Sequence, residues 1–135
     1  MVDRAGVPLA VALTAANLHD SRMLEPMLDA IPALHTGRRG RPRRRPAKLH
    51  ADKAYDHRRC RAECHQRGIT PRIARRGTES SERLGRHRWV VERTLAWLAR
   101  FRRLAVRHDR RADIHFAFTP LGCALVCLSQ VRQFR

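Results

Sequence analysis

Residues 86–104 carry apolar side chains at the spacing of an α-helix and include neither Pro nor Gly. The apolar stripe of this segment consists of Val91, Leu95 and Leu98, widened by Val90, Trp97 and Phe101. Because residues three and four apart share one face of a helix, the pattern predicts a single long helix with this stripe against a core. The one acid in the segment, Glu92, falls on another face beside Arg88.

Shorter segments alternate between strand-like and helix-like patterns. Apolar runs predict strands at residues 8–16, 48–52 and 69–74, the first entered from a hairpin turn at residues 3–6. Helical spacing predicts helices at 21–30, 57–67 and 114–130, with Asp20 or Ser21 capping the first and Gly68 ending the second. Residues 75–85 are polar and predict a loop. Alternation of strands and helices indicates an α/β fold.

The segment from Gly37 to Pro46 predicts an exposed loop, because its arginines repel one another and its Gly and Pro residues interrupt helix and strand. Its residues 39–42, Arg-Gly-Arg-Pro, resemble the core of an AT-hook, which lies in the A·T minor groove. The alternative is a loop that neutralises phosphates without sequence preference. Either interpretation predicts DNA contacts from Arg38, Arg39, Arg41, Arg43, Arg44 and Arg45.

Charge supports a polyanionic partner. The chain has 135 residues, enough for one domain with a basic Arg/Pro/Gly loop at about residues 37–47. It carries 29 Lys and Arg against 12 Asp and Glu, a formal net charge of +17. Nucleic acid is the simplest partner for such an excess, although a ribosomal protein would show the same balance. A hydrophobic content of 43% argues against full disorder.

The four cysteines form two pairs with i, i+4 spacing, Cys60 with Cys64 and Cys123 with Cys127. This spacing favours buried free thiols in a reducing compartment, since zinc sites usually begin with a tighter Cys-x-x-Cys. His57 and His65 near the first pair keep a metal site as the alternative.

The apolar stretch from Phe116 to Leu128 contains Pro120 and Gly122, which predicts a segment too broken to span a membrane. The first residues lack the apolar run of a signal peptide. We therefore expect a cytoplasmic, nucleoid-associated protein without a membrane partner.

Two acids occupy positions suited to metal chemistry. Asp52 ends a predicted strand, where α/β proteins place ligand sites at the rim of the sheet. Glu92 is a lone acid in a basic helix, so it is either a solvated ion-pair partner or a carboxylate aimed at a metal beside phosphate-binding arginines. Asp56, four residues after Asp52, is expected to cap the following helix.

Several blocks of the sequence together resemble the catalytic domain of DDE transposases of the bacterial insertion-sequence families four and five. "HADKAYD" resembles the block with the second catalytic Asp, here Asp52, and "RWVVERTLAWLARFRRL" the block with the catalytic Glu, here Glu92. The opening "GVPLAVALTAANLHDS" and the later "RRADIHFAF" extend the resemblance over nearly the whole chain. The family's Tyr and Lys positions in the Glu block hold Gly85 and Ala99, whereas its Arg position matches Arg88.

The resemblance implies a ribonuclease-H-like α/β fold that is N-terminally truncated, lacking the first strand with its Asp and most of the second. It implies Mg²⁺- or Mn²⁺-dependent DNA cleavage and strand transfer at insertion-sequence ends, with Asp52 and Glu92 converging on a shared ion. Arg88 and Arg93 are then expected to bind DNA. Partners are double-stranded DNA, an upstream-encoded N-terminal segment needed for cleavage, and a second copy of the chain. The alternative is a non-catalytic, basic DNA-binding remnant.

Overall fold

The computed structural model describes residues 1–35, 37, 39–77 and 81–133, with side chains for all of these except 81–88 and 133. Its elements, in chain order, are a 3₁₀ helix Asp20–Met23, α1 (Leu24–Asp29), β1 (Lys48–Ala51), a 3₁₀ helix Lys53–Tyr55, α2 (Arg58–Gln66), β2 (Thr70–Ile73), α3 (Ser81–Leu98), α4 (Arg102–Ala105) and α5 (Ala112–Gln133). The contacts group these residues into two compact units, one of residues 15–87 and one of residues 1–14 with 88–135. The expectation of a single domain stays a prediction.

In the unit of residues 15–87, β1 and β2 pair in parallel, with Leu49 opposite Pro71 and Ala51 opposite Ile73. Parallel neighbours require a crossover connection, which α2 supplies. Ile69 and Ile73 are buried, as is Leu49. Mixed helix and strand with a small parallel sheet is thus confirmed, whereas the ribonuclease-H-like topology stays a prediction.

The cysteines of this unit belong to its core. Cys60 and Cys64 lie on the buried face of α2, and both are free thiols. Burial raises the pKa of each thiol, because a thiolate loses solvation in an apolar environment. In the other unit Cys123 is buried and Cys127 is half-buried, also as free thiols. The interpretation of the cysteines as free, largely buried core residues is confirmed.

The predicted strand at residues 8–16 is wrong. Val2 and Pro8 form an isolated antiparallel bridge around the expected turn, but residues 9–15 have no strand structure. Among the described residues the backbone of Ala10 is bonded to Met1, through its N–H to the Met1 carbonyl and its carbonyl to the Met1 amino group. A strand needs a neighbour for its backbone groups, and Met1 and Val2 provide one for only a few residues.

The single helix predicted for residues 86–104 is also wrong in its bounds and in its buried face. α3 begins at Ser81, inside the loop predicted for 75–85, and ends at Leu98, after which α4 starts a new helix. Val91 and Leu95 are exposed, at 47% and 59%, whereas Thr94 between them is 3% exposed. Both faces of this helix carry apolar residues, so spacing alone does not determine which face is buried.

Thr94 is buried because it closes a contact with the turn at Asp3–Val7. Its hydroxyl donates to the Gly6 carbonyl over 2.6 Å. Gly6 has φ +84°, and a Cβ placed there would lie 3.0 Å from the Thr94 hydroxyl and 3.1 Å from the Arg93 guanidinium. The glycine therefore allows both the left-handed backbone and the close approach of the turn to α3.

Gly6→Ala is expected to destabilise this unit by about 1–2 kcal/mol, because it adds left-handed strain and crowds Thr94. Urea denaturation of the whole chain measures the change. Gly37→Ala is the matched control, since Gly37 also has positive φ but a Cβ there meets nothing within 4 Å. An equal loss in both variants would show that strain alone is responsible, and an unchanged midpoint for Gly6→Ala would contradict the contact.

α5 is continuous through Pro120 and Gly122, against the expectation of a broken segment. Gly122 lies against α4, where a Cβ would be 2.7 Å from a Leu104 methyl carbon, so this glycine serves close packing. Residues 112–132 are long and apolar enough to cross a membrane by length and composition, and only 11% of that window is buried. The absence of a membrane partner and the cytoplasmic location therefore stay predictions.

Candidate functional site

Asp52 follows β1 directly and forms the turn at the carboxyl end of that strand. Its Oδ1 accepts a hydrogen bond from the Ala54 N–H over 2.9 Å, which caps the 3₁₀ helix Lys53–Tyr55. The side chain is exposed. Capping engages one carboxylate oxygen with the backbone, so the local sequence after Asp52 fixes the position of this acid at the edge of the sheet.

A second acid, Asp20, lies in the electrostatic surroundings of the same turn. The pKa of Tyr55 is raised, chiefly by burial and then by the negative charges of Asp20 and Asp52. Both carboxylates therefore act on the Tyr55 hydroxyl, and the 3₁₀ helices that carry Asp20 and Tyr55 are in contact. The sequence alone assigned no chemical role to the "NLHDS" block, residues 17–21. The only signal for it was that these polar residues directly follow an apolar run.

The cap of the first 3₁₀ helix differs from the expected one. His19, rather than Asp20 or Ser21, is the N-cap, and its Nδ1 accepts from the Ser21 N–H over 3.3 Å. Ser21 is buried, and its hydroxyl also accepts from the Arg59 guanidinium. The His19 ring meets the His57 ring edge to face at 5.3 Å. The polar block therefore contacts α2 through Ser21 and Arg59, and the residue before α2 through His19 and His57.

Asp56 does not cap α2, contrary to the expectation. The N-cap is His57, which makes no side-chain cap bond, and Asp56 instead binds the Arg61 guanidinium at 2.6 Å and the Arg76 N–H at 3.0 Å. The Arg76 N–H and the Arg61 guanidinium hold the pKa of Asp56 below its usual value. These bonds connect the segment after β2 to the turn after β1, so they hold the carboxyl ends of the two strands together at one edge of the sheet.

Glu92 lies exposed on α3, in the unit that contains residues 88–135. The next residue, Arg93, has its guanidinium 4.4 Å from the centre of the Trp89 ring and 4.9 Å from that of Trp97. The same guanidinium donates to the Ala5 carbonyl over 2.5 Å. Arg93 therefore holds the N-terminal turn to the helix, and its expected contact with DNA stays a prediction.

The basic loop belongs to the unit of residues 15–87. Leu34 and Arg43 form an antiparallel bridge at its base, with N···O distances of 2.8 and 3.0 Å. The described arginines of the loop are all exposed, namely Arg39, Arg41, Arg43, Arg44 and Arg45. Arg38 and the side chain of Arg88 lie outside the described residues. Exposed guanidinium groups on a closed loop are free of the desolvation cost that buried charges carry, which suits contact with phosphates.

Arg45 also anchors the loop to α2. It donates to the Arg67 carbonyl over 2.5 Å and lies over Gly68, where a Cβ would be 2.6 Å from its guanidinium. Arg67 in turn pairs with Asp29 and with Glu63, each at 2.5 Å, and both pairs raise its pKa. A cavity of about 360 Å³ lies between these cations and the apolar residues Leu28, Ile31 and Ile69.

No group of three or more His, Cys, Asp or Glu residues that could hold a metal gathers among the residues whose placement is described. Within that described part, neither Asp52 nor Glu92 belongs to such a group, and neither do Cys60, Cys64 and the histidines near them. Asp52 belongs to the unit of residues 15–87 and Glu92 to the other. Their sharing of one ion stays a prediction.

Comparison with known proteins identifies the family. Residues 1–127 match the family described as "Transposase DDE domain". Over 133 residues the chain is 51% identical to the "Putative transposase for insertion sequence element IS402" of Burkholderia cepacia. The match covers 98% of this chain and 63% of that relative. No solved structure matches. On this similarity, the chain belongs to the family of transposases that carry the DDE domain.

Proposed function

We propose that the chain contributes two acids, Asp52 and Glu92, to divalent-ion-dependent DNA cleavage and strand transfer at insertion-sequence ends. The observation that carries the proposal is the family match over residues 1–127. Within it, Asp52 occupies the carboxyl end of a parallel strand, which is where α/β proteins gather ligand-binding groups. The finer family assignment, to insertion-sequence families four and five, is part of the proposal.

The donor atoms suit Mg²⁺ or Mn²⁺ in kind. Both side chains are exposed carboxylates, and hard cations prefer oxygen ligands. Such ions, when bound, activate the attacking oxygen and stabilise the leaving one. In number the donors fall short, since the described residues contain no group of three potential ligands. Asp52 and Glu92 would therefore hold the cation together with further ligands, and we derive no step of the reaction through the metal.

The chain's own contribution to DNA handling rests on charge. Its net charge is +17, and the loop closed by Leu34 and Arg43 presents exposed arginines to solvent. Phosphates of double-stranded DNA would replace water around these guanidinium groups, with release of counterions. The loop positions DNA without reading its sequence unless the Arg39–Pro42 segment enters an A·T minor groove, as an AT-hook does.

A specific observation favours a second candidate, a DNA-binding remnant without catalysis. The described residues contain no group of three or more potential metal ligands, while the described arginines of the basic loop are all exposed. The chain also spans 63% of the length of its curated relative, so the activity of a whole transposase is not carried over as established.

A strand-cleavage assay separates the two candidates. The chain is incubated with labelled DNA carrying insertion-sequence ends, with Mg²⁺, with Mn²⁺ or with chelator. A second arm adds the part of the Burkholderia relative that has no counterpart here. Nicks at the ends that require the divalent ion, in either arm, support the proposal. DNA binding without cleavage in both arms would overturn it in favour of the remnant.

A further inference from the structure

After β2 the chain returns to the turn at Asp52 and brings Arg76 to it. Ala74 continues the parallel pairing beyond β2, since its N–H donates to the Ala51 carbonyl over 3.2 Å. Two residues later, the Arg76 N–H donates to Asp56 Oδ2 over 3.0 Å. The backbone of Arg76 is therefore fixed against the turn that begins at Asp52.

The Arg76 guanidinium is held at the same turn. Its Nε–H donates to the Lys53 carbonyl over 3.2 Å. Its Nη2 lies 3.5 Å from His57 Nε2, a long contact in which the imidazole nitrogen is the acceptor, because a guanidinium only donates. Asp52 is fixed by this turn as well, through the bond from the Ala54 N–H to its Oδ1. One short turn therefore positions both a carboxylate and a guanidinium.

Arg76 keeps the charge and the donors that an anion needs. Its Nη1 group takes part in neither of the two guanidinium contacts. Asp56, which holds the backbone of Arg76, uses its other oxygen for the Arg61 guanidinium at 2.6 Å. Among the described residues no carboxylate forms an ion pair with the Arg76 guanidinium. The side chain is exposed, so a ligand can reach it without the desolvation cost of a buried charge.

The preceding residue, Arg75, provides the contrast. It is also exposed, but within the described part of the chain its side chain forms no hydrogen bond or ion pair. Fixing a long, flexible side chain costs conformational entropy when a ligand binds, and a side chain that is already held loses less. Arg76 should therefore bind an anion more tightly than Arg75 does.

We propose that Arg76 binds one phosphate of double-stranded DNA at the Asp52 end of β1, and that Asp56 is the positioning residue that holds Arg76 there. The choice of ligand rests on the proposed function, in which DNA is the substrate. A guanidinium suits a phosphate, because it combines a permanent charge with paired N–H donors. Phosphate contacts fix the register of a duplex without reading its bases. A phosphate held by Arg76 would thus set which phosphodiester lies nearest Asp52.

The main experiment measures binding of the full chain to a duplex with an insertion-sequence end, in which one phosphate at a time is replaced by a neutral methylphosphonate. Fluorescence anisotropy without divalent ions gives the affinity for each duplex. At the phosphate that Arg76 binds, the replacement should weaken binding by about tenfold, the scale of a hydrogen bond to a charged group. Arg76→Gln should remove the effect of that one replacement. Arg75→Gln is the matched control and should leave it in place.

Asp56→Asn tests the positioning role. The variant removes a negative charge, so overall electrostatics alone would strengthen DNA binding. An amide offers one oxygen acceptor, so it cannot serve both Arg61 and the Arg76 N–H. The replacement that Arg76 senses should therefore lose most of its effect. Asp29→Asn is the matched control, because Asp29 also pairs with an arginine, Arg67, but lies on α1.

The other phosphate positions report on the fold of each variant. If Asp56→Asn lowers the effect of every replacement equally, its role is structural and the positioning role is overturned. The same conclusion follows if Asp29→Asn and Asp56→Asn behave alike. A scan with no sensitive position, or one that Arg76→Gln and Arg75→Gln leave identical, would overturn the phosphate contact itself.

The binding assay is independent of cleavage, because it contains no divalent ion. A chain that shows the Arg76-dependent phosphate but never cleaves DNA would keep this contact and overturn the proposed function. A chain that cleaves DNA but gives the same scan with Arg76→Gln would keep the proposed function and overturn this contact.

Discussion

Glu92→Gln and Asp52→Asn are each expected to lower divalent-dependent DNA cleavage by at least about a hundredfold. An ion that stabilises developing charge contributes several kcal/mol, and about 1.4 kcal/mol corresponds to tenfold in rate. Both substitutions keep size and shape while removing one negative charge. DNA affinity should therefore stay equal or rise, because the protein becomes more positive. Loss of the site should therefore lower cleavage without lowering DNA affinity, whereas unfolding should lower both.

Glu25→Gln is the matched control for these variants. Glu25 is an exposed acid on α1, and its loss changes the net charge by the same amount. It should leave cleavage within about twofold of the unsubstituted chain, since surface substitutions usually have small effects. Full cleavage by Glu92→Gln would remove Glu92 from the proposed acids. A parallel loss in Glu25→Gln would show that charge alone, and not these two carboxylates, controls the assay.

Replacing Arg39, Arg41 and Arg44 by Ser is expected to reduce the dependence of DNA affinity on salt by about two to three log–log units. Each phosphate neutralised contributes roughly 0.9 to this slope. Affinity in low salt should fall in parallel, on the order of a hundredfold, because the released counterions drive binding. Arg45 is left in place, since it donates to the Arg67 carbonyl and its loss would disturb the base of the loop.

The control removes the same charge elsewhere. Arg4, Arg58 and Arg100 are exposed and lie outside the loop, and both triple variants change the net charge by three. Fluorescence anisotropy with a short duplex at several salt concentrations measures both slopes. Equal slopes in the two triple variants would show that overall charge binds DNA and that the loop has no special part. A·T-rich and G·C-rich competitors then test the AT-hook interpretation.

The sequence predicted best those parts whose signals are local. The "HADKAYD" block placed Asp52 at a strand end, and Gly68, with φ +66°, ended α2 as expected. In these places the residues that determine the conformation are within a few positions of one another. An apolar run followed by an acid, or a helix followed by Gly, specifies its structure without help from the rest of the chain.

Features that depend on distant partners were missed. Thr94 is buried by its hydrogen bond to the Gly6 carbonyl, 88 residues away, and no helical spacing would choose Thr94 over Val91 or Leu95. Asp56 looked like a helix cap, but Arg61 and the backbone of Arg76, 20 residues on, engage its carboxylate. The expected roles of Arg38 and Arg88 lie outside the described residues, and the pairing of Asp52 with Glu92 stays a prediction.

The bridge between Leu34 and Arg43 has a consequence for how this protein can vary. Because the bridge closes the loop at its base, residues 35–42 can change in sequence or number while the chain still enters β1 from the same point. Lengthening such a segment is tolerated, since doubling a loop adds only about 0.6 kcal/mol of closure entropy. Related chains can therefore differ in the length and charge of this loop without any compensating change in the sheet.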